Sequence, residues 1–186
     1  ERITAHGDII VAMDENSMER LAIRLARQKY EAVAIGFLHS YINDTHEQRA
    51  AEIIRRHLPN AAITLSSETA PEMKEYERFS TACANAYIQP KMASYLAQLE
   101  TRLQTRGLDC PLLMMLSGGG LTTIETSRRF PVRLVESGPA GGAIFSAHIA
   151  AQRGLDKVLS FDMGGTTAKI CLIDDGKPQT ARSFEV

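Results

Sequence analysis

Cysteine is scarce, no apolar run is long, and neither sign of charge is in excess; each lack removes a class of function. Three cysteines, Cys83, Cys110 and Cys171, stand far apart in 186 residues. They show neither a CxxC pair nor Cys/His ligand spacing, so no zinc site or disulfide framework is expected. They read as buried free thiols. No stretch approaches the roughly 20 apolar residues that span a bilayer, and Glu1-Arg2-Ile3-Thr4 holds no signal-peptide core. A formal net charge of -1 offers no basic field to a nucleic-acid backbone or an anionic membrane surface. The expectation is a soluble, cytoplasmic protein without nucleic-acid or membrane partners. Two nucleotide signatures are also missing: there is no GxxxxGK[ST] phosphate loop and no GxGxxG opening a helix.

What is present is ordinary globular material, 44% hydrophobic and 23% charged, enough for one substantial core or two small ones. Both ends are abrupt. Glu1 opens without Met, and Ser183-Phe184-Glu185-Val186 stops in a strand-like stretch with no closing helix, so a piece of a longer chain is expected.

Residues 14–28 carry Asp, Asn and Ser caps ahead of Met18, Leu21, Ile23, Leu25 and Ala26, which predicts an amphipathic helix. The unbroken apolar run at 32–38 reads as a buried parallel strand. Asn43-Asp44-Thr45 then caps a helix at 46–57, and Pro59-Asn60 breaks it before a strand at 61–66. Strand, helix, strand at this spacing is a crossover unit, so the first eighty residues read as α/β. A long helix over 76–106, broken near Gln89-Pro90 and ended by Gly107, follows and is expected to join two lobes. Next come a buried strand at 111–116, the loop Ser117-Gly118-Gly119-Gly120, a short helix at 124–129 and a further short element at 132–135. A helix then runs from Ser137 to about Gln152, where Gly154 stops it.

The chemistry concentrates at 158–167. A strand runs into Asp162-Met163-Gly164-Gly165-Thr166-Thr167, and a second strand leaves at Ala168, which predicts a hairpin with a bare backbone tip. Gly164 and Gly165 admit positive φ and let N–H groups approach an anion, and the hydroxyls of Thr166 and Thr167 add donors. Asp162, placed just before the turn, makes sense beside phosphates if Mg²⁺ lies between, or if an attacking hydroxyl needs positioning. The alternative is a plain glycine hairpin with an acidic edge.

Ser137-Gly138-Pro139-Ala140-Gly141-Gly142 starts a helix whose free N–H groups and positive dipole end could receive an anion. Close helix packing explains the same glycines equally well. Ser117 to Gly120 reads first as a plain connection. His46-Glu47 reads as a helix start, with Glu47 opposing the dipole. Glu72, Glu75, Glu77 and Arg78 read as a solvated helix face, with Arg78 a candidate anion contact. His39 and Ser40 end a buried strand, where ligands gather in open α/β sheets.

Several of these segments, taken in order, match one family. They are Leu38-His39-Ser40-Tyr41 with His46-Glu47, Ser66-Ser67-Glu68, Glu75-Tyr76-Glu77-Arg78 with Thr81, Asn85-Ala86-Tyr87 with Pro90, Ser117 to Leu121, Ser137 to Gly142, and Phe161 to Thr166. The chain resembles the A subunits of hydantoinase/oxoprolinase enzymes, relatives of N-methylhydantoinase, 5-oxoprolinase and the acetone and acetophenone carboxylase subunits. The resemblance implies part of an α/β, ribonuclease-H-like fold of the actin/sugar-kinase/Hsp70-like ATPase type. Residues 1–84 would end an N-terminal lobe, and 85–186 would supply a linking helix and the start of the ATPase lobe.

The implied chemistry is ATP-dependent opening of a cyclic amide, with ketone carboxylation, a sugar- or acid-kinase activity and a scaffold role as alternatives. The implied cofactors are ATP with Mg²⁺ or Mn²⁺. The implied partners are a cyclic amide substrate, a B-type subunit and further copies of the chain. Asp162 would be the catalytic and metal-linked residue. Gly164, Gly165, Thr166, Thr167, Ser137, Gly138 and Gly141 would line the phosphates. The chain departs from the family at Lys169, often Asp, and at Gly118, often Asn. The family's first phosphate hairpin and its adenosine-binding half are missing from this sequence, so this stretch alone is not expected to turn over ATP.

Overall fold

The structure, a computed structural model, describes residues 1–180; the strand-like stretch expected at 183–186 lies outside them. The described chain divides into two compact units, residues 1–108 with 128–132, and residues 109–127 with those from 133 onward.

The first unit begins with a small antiparallel pair, β1 (Arg2–Ile3) and β2 (Ile9–Val11). Helix α1 (Glu15–Arg27) starts as the sequence predicts: the Asp14 carboxylate accepts from the Ser17 amide at 3.1 Å. That bond satisfies one of the orphan N–H groups of the first turn. Strand β3 (Ala32–Ile35) pairs in parallel with β4 (Ala62–Leu65), and α2 (Thr45–His57) joins them. The apolar stripes close over the strands. Ala22, Ile35, Ala50, Ala51, Ile53, Ile54, Leu58 and Leu65 form one buried cluster, and each fully buried Ile or Leu contributes about 1.5–3 kcal/mol.

A single turn, α3 (Ser66–Thr69), leads into α4 (Glu75–Thr105). Helix α4 runs through Pro90 without interruption, so the break expected at Gln89-Pro90 does not occur. One lost N–H is tolerated in a 31-residue helix whose face packs on β3 and β4. The end is as predicted. Gly107, at φ 80, donates to the Gln104 carbonyl at 2.9 Å, and the Leu108 N–H reaches the Leu103 carbonyl at 3.1 Å. This pair of bonds is a Schellman cap.

In the second unit, β5 (Leu113–Met115) and β6 (Leu121–Thr123) form an antiparallel pair around the glycine loop. Helix α5 (Ile124–Arg129) and a 3₁₀ turn over Pro131–Leu134 lead to α6 (Ser137–Gln152). The expected element at 132–135 is therefore mostly this turn. Strands β7 (Lys157–Met163), β8 (Ala168–Asp174) and β9 (Lys177–Pro178) make an antiparallel sheet in that order. Helix α6 lies against β5, β7, β8 and β9. Asp175 and Gly176, both at positive φ, build the Asp-Gly hairpin turn between β8 and β9.

The cysteines are free, but they are not buried as expected: Cys83 and Cys110 are exposed and Cys171 is half-covered. Cys83 lies on the outward side of α4 and Cys110 follows that helix's cap, positions that no core element covers.

Candidate phosphate site

The hairpin forms where the sequence places it. Asp162 stands opposite Lys169 and Met163 opposite Ala168, and the Gly164 N–H donates to the Thr167 carbonyl at 3.0 Å. Gly164, Gly165, Thr166 and Thr167 thus form a four-residue tip, exposed along its length, with Asp162 exposed at its base. One feature differs from the sequence reading. Neither tip glycine adopts positive φ. A Cβ on Gly165 would meet no atom within 4 Å, and one on Gly164 would touch only the Thr167 carbonyl at 4.0 Å. Turn geometry and packing within this unit therefore do not explain the glycines. Their effect is to leave peptide groups uncovered.

Residues opposite one another on an antiparallel pair share a face. Val158 and Ile173, then Ser160 and Cys171, then Asp162 and Lys169 share the same face. That face meets α6: Ser160 and Ser146 share a hydroxyl hydrogen bond at 3.2 Å, and Ile173 is buried. At the tip end, the Lys169 ammonium pairs with the Glu136 carboxylate. Glu136 is the N-cap residue of α6, at φ 68, and its side chain makes no capping bond. Ser137 and Gly138 follow immediately. Helix geometry leaves the N–H groups of both without an intrahelical acceptor. A Cβ on Gly138 or Gly142 would meet nothing within 4 Å, while one on Gly141 would touch Met115 at an ordinary 3.9 Å. Close packing does not require the first two glycines.

The glycine loop after β5 is more constrained than a plain connection. Gly119 has φ 84, and a Cβ there would come within 2.7 Å of Ile144 Cδ1 on α6. The Ser117 hydroxyl donates to the Arg133 carbonyl at 2.8 Å and also to the Val135 carbonyl. This loop therefore fixes the segment that delivers Glu136 to the start of α6.

The donor set suits a phosphate: bare amides, threonine hydroxyls and a lysine. Asp162 offers one hard oxygen ligand, the kind Mg²⁺ accepts beside phosphate oxygens and retained waters. Among the described residues, no group of three or more His, Cys, Asp or Glu could hold a metal by protein ligands alone.

The other candidates lie in the first unit and build a separate buried knot. Glu47 is fully buried in the first turn of α2. Its Oε1 accepts from the Phe37 amide at 3.0 Å and the Ser66 hydroxyl at 2.6 Å; its Oε2 accepts from the Ser67 amide at 3.0 Å and the Ser67 hydroxyl at 2.8 Å. Arg78, read from sequence as part of a solvated face, is 0% exposed. It donates to the Ser66 hydroxyl at 3.1 Å and to the carbonyls of Glu72 and Phe37 at 2.8 Å each. The Tyr41 and Phe79 rings lie 5.3 and 5.0 Å from its guanidinium carbon. Ser40 joins through the Phe37 carbonyl at 3.0 Å, and His46 pairs with Glu1 at 2.8 Å. His39 is held at φ 57 with its Nδ1 buried and unpartnered. The sequence signal for this knot was the presence of Ser66-Ser67 and Arg78 in the family pattern; no local periodicity marks it.

A family model described as "Hydantoinase/oxoprolinase" matches residues 78–186, and one for the "Hydantoinase/oxoprolinase N-terminal region" matches residues 1–58. The chain belongs to the hydantoinase/oxoprolinase family. An uncharacterized protein of Methanocaldococcus jannaschii is 40% identical over 100% of this chain and 27% of its own length. The caprolactamase subunit alpha of Pseudomonas jessenii is 33% identical over 99% of this chain and 26% of its own. The chain thus spans about a quarter of the length of these curated relatives. The crystal structure of the ATP-dependent caprolactamase from Pseudomonas jessenii superposes with a TM-score of 0.84 at 33% identity, covering 92% of this chain and 25% of that one. A nucleotide-free acetone carboxylase structure, at 24% identity, gives a TM-score of 0.82 over 95% of this chain and 25% of its own. The fold is the mixed α/β, actin-like ATPase class that the sequence implied. Relatives in this family are ATP-dependent amide hydrolases and carboxylase subunits.

Proposed function

We propose that this chain is part of an ATP-dependent cyclic-amide hydrolase and that its hairpin at Asp162 to Thr167 receives the nucleotide phosphates. The observation that carries the reading is the open tip. Four exposed residues, with two hydroxyls and only the Gly164 N–H engaged in closing the turn, follow an exposed carboxylate, and Lys169 ties the hairpin to the start of α6. The Gly165 amide and the hydroxyls of Thr166 and Thr167 would hold phosphate oxygens, while Gly164, whose own N–H closes the turn on the Thr167 carbonyl, would line the phosphates without a side chain in their way. The first-turn amides of Ser137 and Gly138, with Gly141 behind them, would add the positive end of the helix. Asp162 would hold Mg²⁺ or Mn²⁺, which when bound neutralises charge building on the phosphate oxygens during transfer. Transfer of the γ-phosphoryl group from ATP to the amide oxygen, with ADP as the leaving group, would then make the ring carbon open to attack by water.

Cyclic amides are favoured over ketones because the caprolactamase subunit resembles this chain at 33% identity, whereas the acetone carboxylase structure does so at 24%. Relatives named as alpha, beta and gamma subunits support a partner subunit, and dependence on ATP supports a cytoplasmic setting. We also propose that residues 1–84 end an N-terminal lobe and that 85–186 supply a linking helix and the start of the ATPase lobe, a division that falls within α4 and not at the edge of the first compact unit near residue 108.

The test is ATP hydrolysis by the full-length protein with its partner subunit, across a panel of cyclic amides and ketones. ATP cleavage stimulated by a cyclic amide and abolished in Asp162→Asn is expected. A full-length protein that assembles with its partner yet binds no ATP in the presence of Mg²⁺ would overturn the reading.

A further inference from the structure

We infer that Lys169 is a phosphate-binding residue held in reserve by Glu136, so that nucleotide binding exchanges one anionic partner of this lysine for another. The inference rests on the phosphate reading of the hairpin and adds to it a specific cation and its competitor.

The register fixes where Lys169 points. It stands opposite Asp162, so both side chains rise from the same face of the hairpin at the base of the exposed tip. Its ammonium is paired with Glu136, the residue immediately ahead of the two open amides that begin α6. Lys169 therefore bridges the two features that a phosphate would touch. Water reaches both partners, with Lys169 half-buried at 33% and Glu136 exposed at 59%. Exposed ion pairs are weak, because water screens both charges and two long side chains lose freedom. A polyphosphate brings more charge and several acceptor oxygens, so it competes well for a single ammonium.

Charge sign makes the same case. Without Lys169, the base of the tip would present Asp162 and Glu136, two carboxylates, to an incoming anion. With it, one is neutralised before the ligand arrives, and the lysine can turn from Glu136 to the phosphate as the ligand enters. Glu136 itself, at positive φ and capping nothing with its side chain, is free to let go without unwinding α6.

The experiment measures MgATP and tripolyphosphate binding to the full-length protein by calorimetry, for the unaltered chain and for Lys169→Met, Lys169→Arg, Glu136→Gln and Asp162→Asn. Lys169→Met is expected to weaken binding about ten- to a hundredfold, the usual weight of a charge-assisted contact, and Lys169→Arg to restore most of it. Glu136→Gln is expected to tighten binding, because it frees the lysine and removes a competing carboxylate. Opposite signs for the two variants are the signature, since a merely structural ion pair would respond alike to loss of either partner. Melting temperatures confirm that each variant folds. If Asp162→Asn weakens binding but Lys169→Met and Glu136→Gln bind as the unaltered chain does, the role of Lys169 is overturned and the hairpin reading stands. If the unaltered protein binds neither ligand, both fall.

Discussion

Arg78 carries a guanidinium with no exposed surface, and the structure shows why it persists there. Its three donor groups reach one hydroxyl and two carbonyls, and the same Ser66 hydroxyl passes on to Glu47. Burying the two charges is costly, and their value depends on every lone pair and proton being matched. Removing one partner leaves the other uncompensated. Arg78→Met is therefore expected to destabilise the protein by about 3–5 kcal/mol, and Glu47→Gln to act in the same direction. Urea unfolding should show the double variant costing less than the sum, because the two residues share one network; strict additivity would deny the coupling. Gly36 belongs to the same neighbourhood. A Cβ there would come within 2.5 Å of the Phe79 ring, so Gly36→Ala must displace a side chain that packs on Arg78, at about 1–3 kcal/mol by the same measurement. Beyond the family pattern that singles out Ser66-Ser67 and Arg78, none of this was legible in sequence. Glu72, Glu75, Glu77 and Arg78 read as a charged face, and the partners that bury Arg78 come from 12 and 41 residues away. Asp162 and the four tip residues were legible because hairpin and turn chemistry is local. The pairing of Lys169 with Glu136, across 33 positions of chain, was not.

At the scale of elements, boundaries written by caps were readable and those written by packing were not. Asp14 marks a helix end through its side-chain carboxylate and Gly107 and Gly154 through backbone bonds, and all three behave as the sequence suggests. The strands expected at 32–38 and 111–116 are shorter, at Ala32–Ile35 and Leu113–Met115, because the apolar runs continue past the paired residues into segments such as Gly36 and Leu38 that lie exposed, and the second strand is not buried as expected. Strand β6 and the β1–β2 pair were missed because two or three residues carry no period. Pro90 was misread because propensity was allowed to outweigh a long packed face. The contact between α1 and α2 yields a pH prediction. Hydrogen bonds to Ser17 hold the Asp14 carboxyl below its ordinary range, and hydrogen bonding to Arg49 does the same for Glu15. A depressed carboxyl stabilises the fold above its unfolded value and loses that contribution as pH falls through the folded one. The start of α1 should therefore hold its order as pH falls to the free-carboxylate range and fray only as pH falls through the lowered values of these two carboxyls. Carboxyl NMR titration of Glu15 checks this: a midpoint at or above that of a free glutamate would contradict it, and Arg49→Met should bring the midpoint back up.

For the molecule as a whole, the side of the β7–β8 hairpin turned away from α6 poses the remaining question. Leu159 and Leu172, then Phe161 and Ile170, stand opposite one another there, with Met163 beyond. All are open, Phe161 at 57% and Met163 at 70%. A contiguous apolar face of this kind marks a surface made to be covered. The chain spans about a quarter of the length of its relatives, so the cover expected is another part of the full-length protein. The two possibilities differ in energy by enough to measure. A substitution at a surface left open in the complete protein changes stability by about 0.5 kcal/mol or less. Truncating a Phe that is packed on both sides costs about 3–5 kcal/mol. Phe161→Ala in the full-length protein should fall in the second range by denaturant unfolding, while Lys157→Ala, at the far end of the same strand, should fall in the first. If Phe161→Ala costs no more than Lys157→Ala, the hairpin stands in solvent on that face, and the apolar side of the strand that carries Asp162 has no partner in the complete protein.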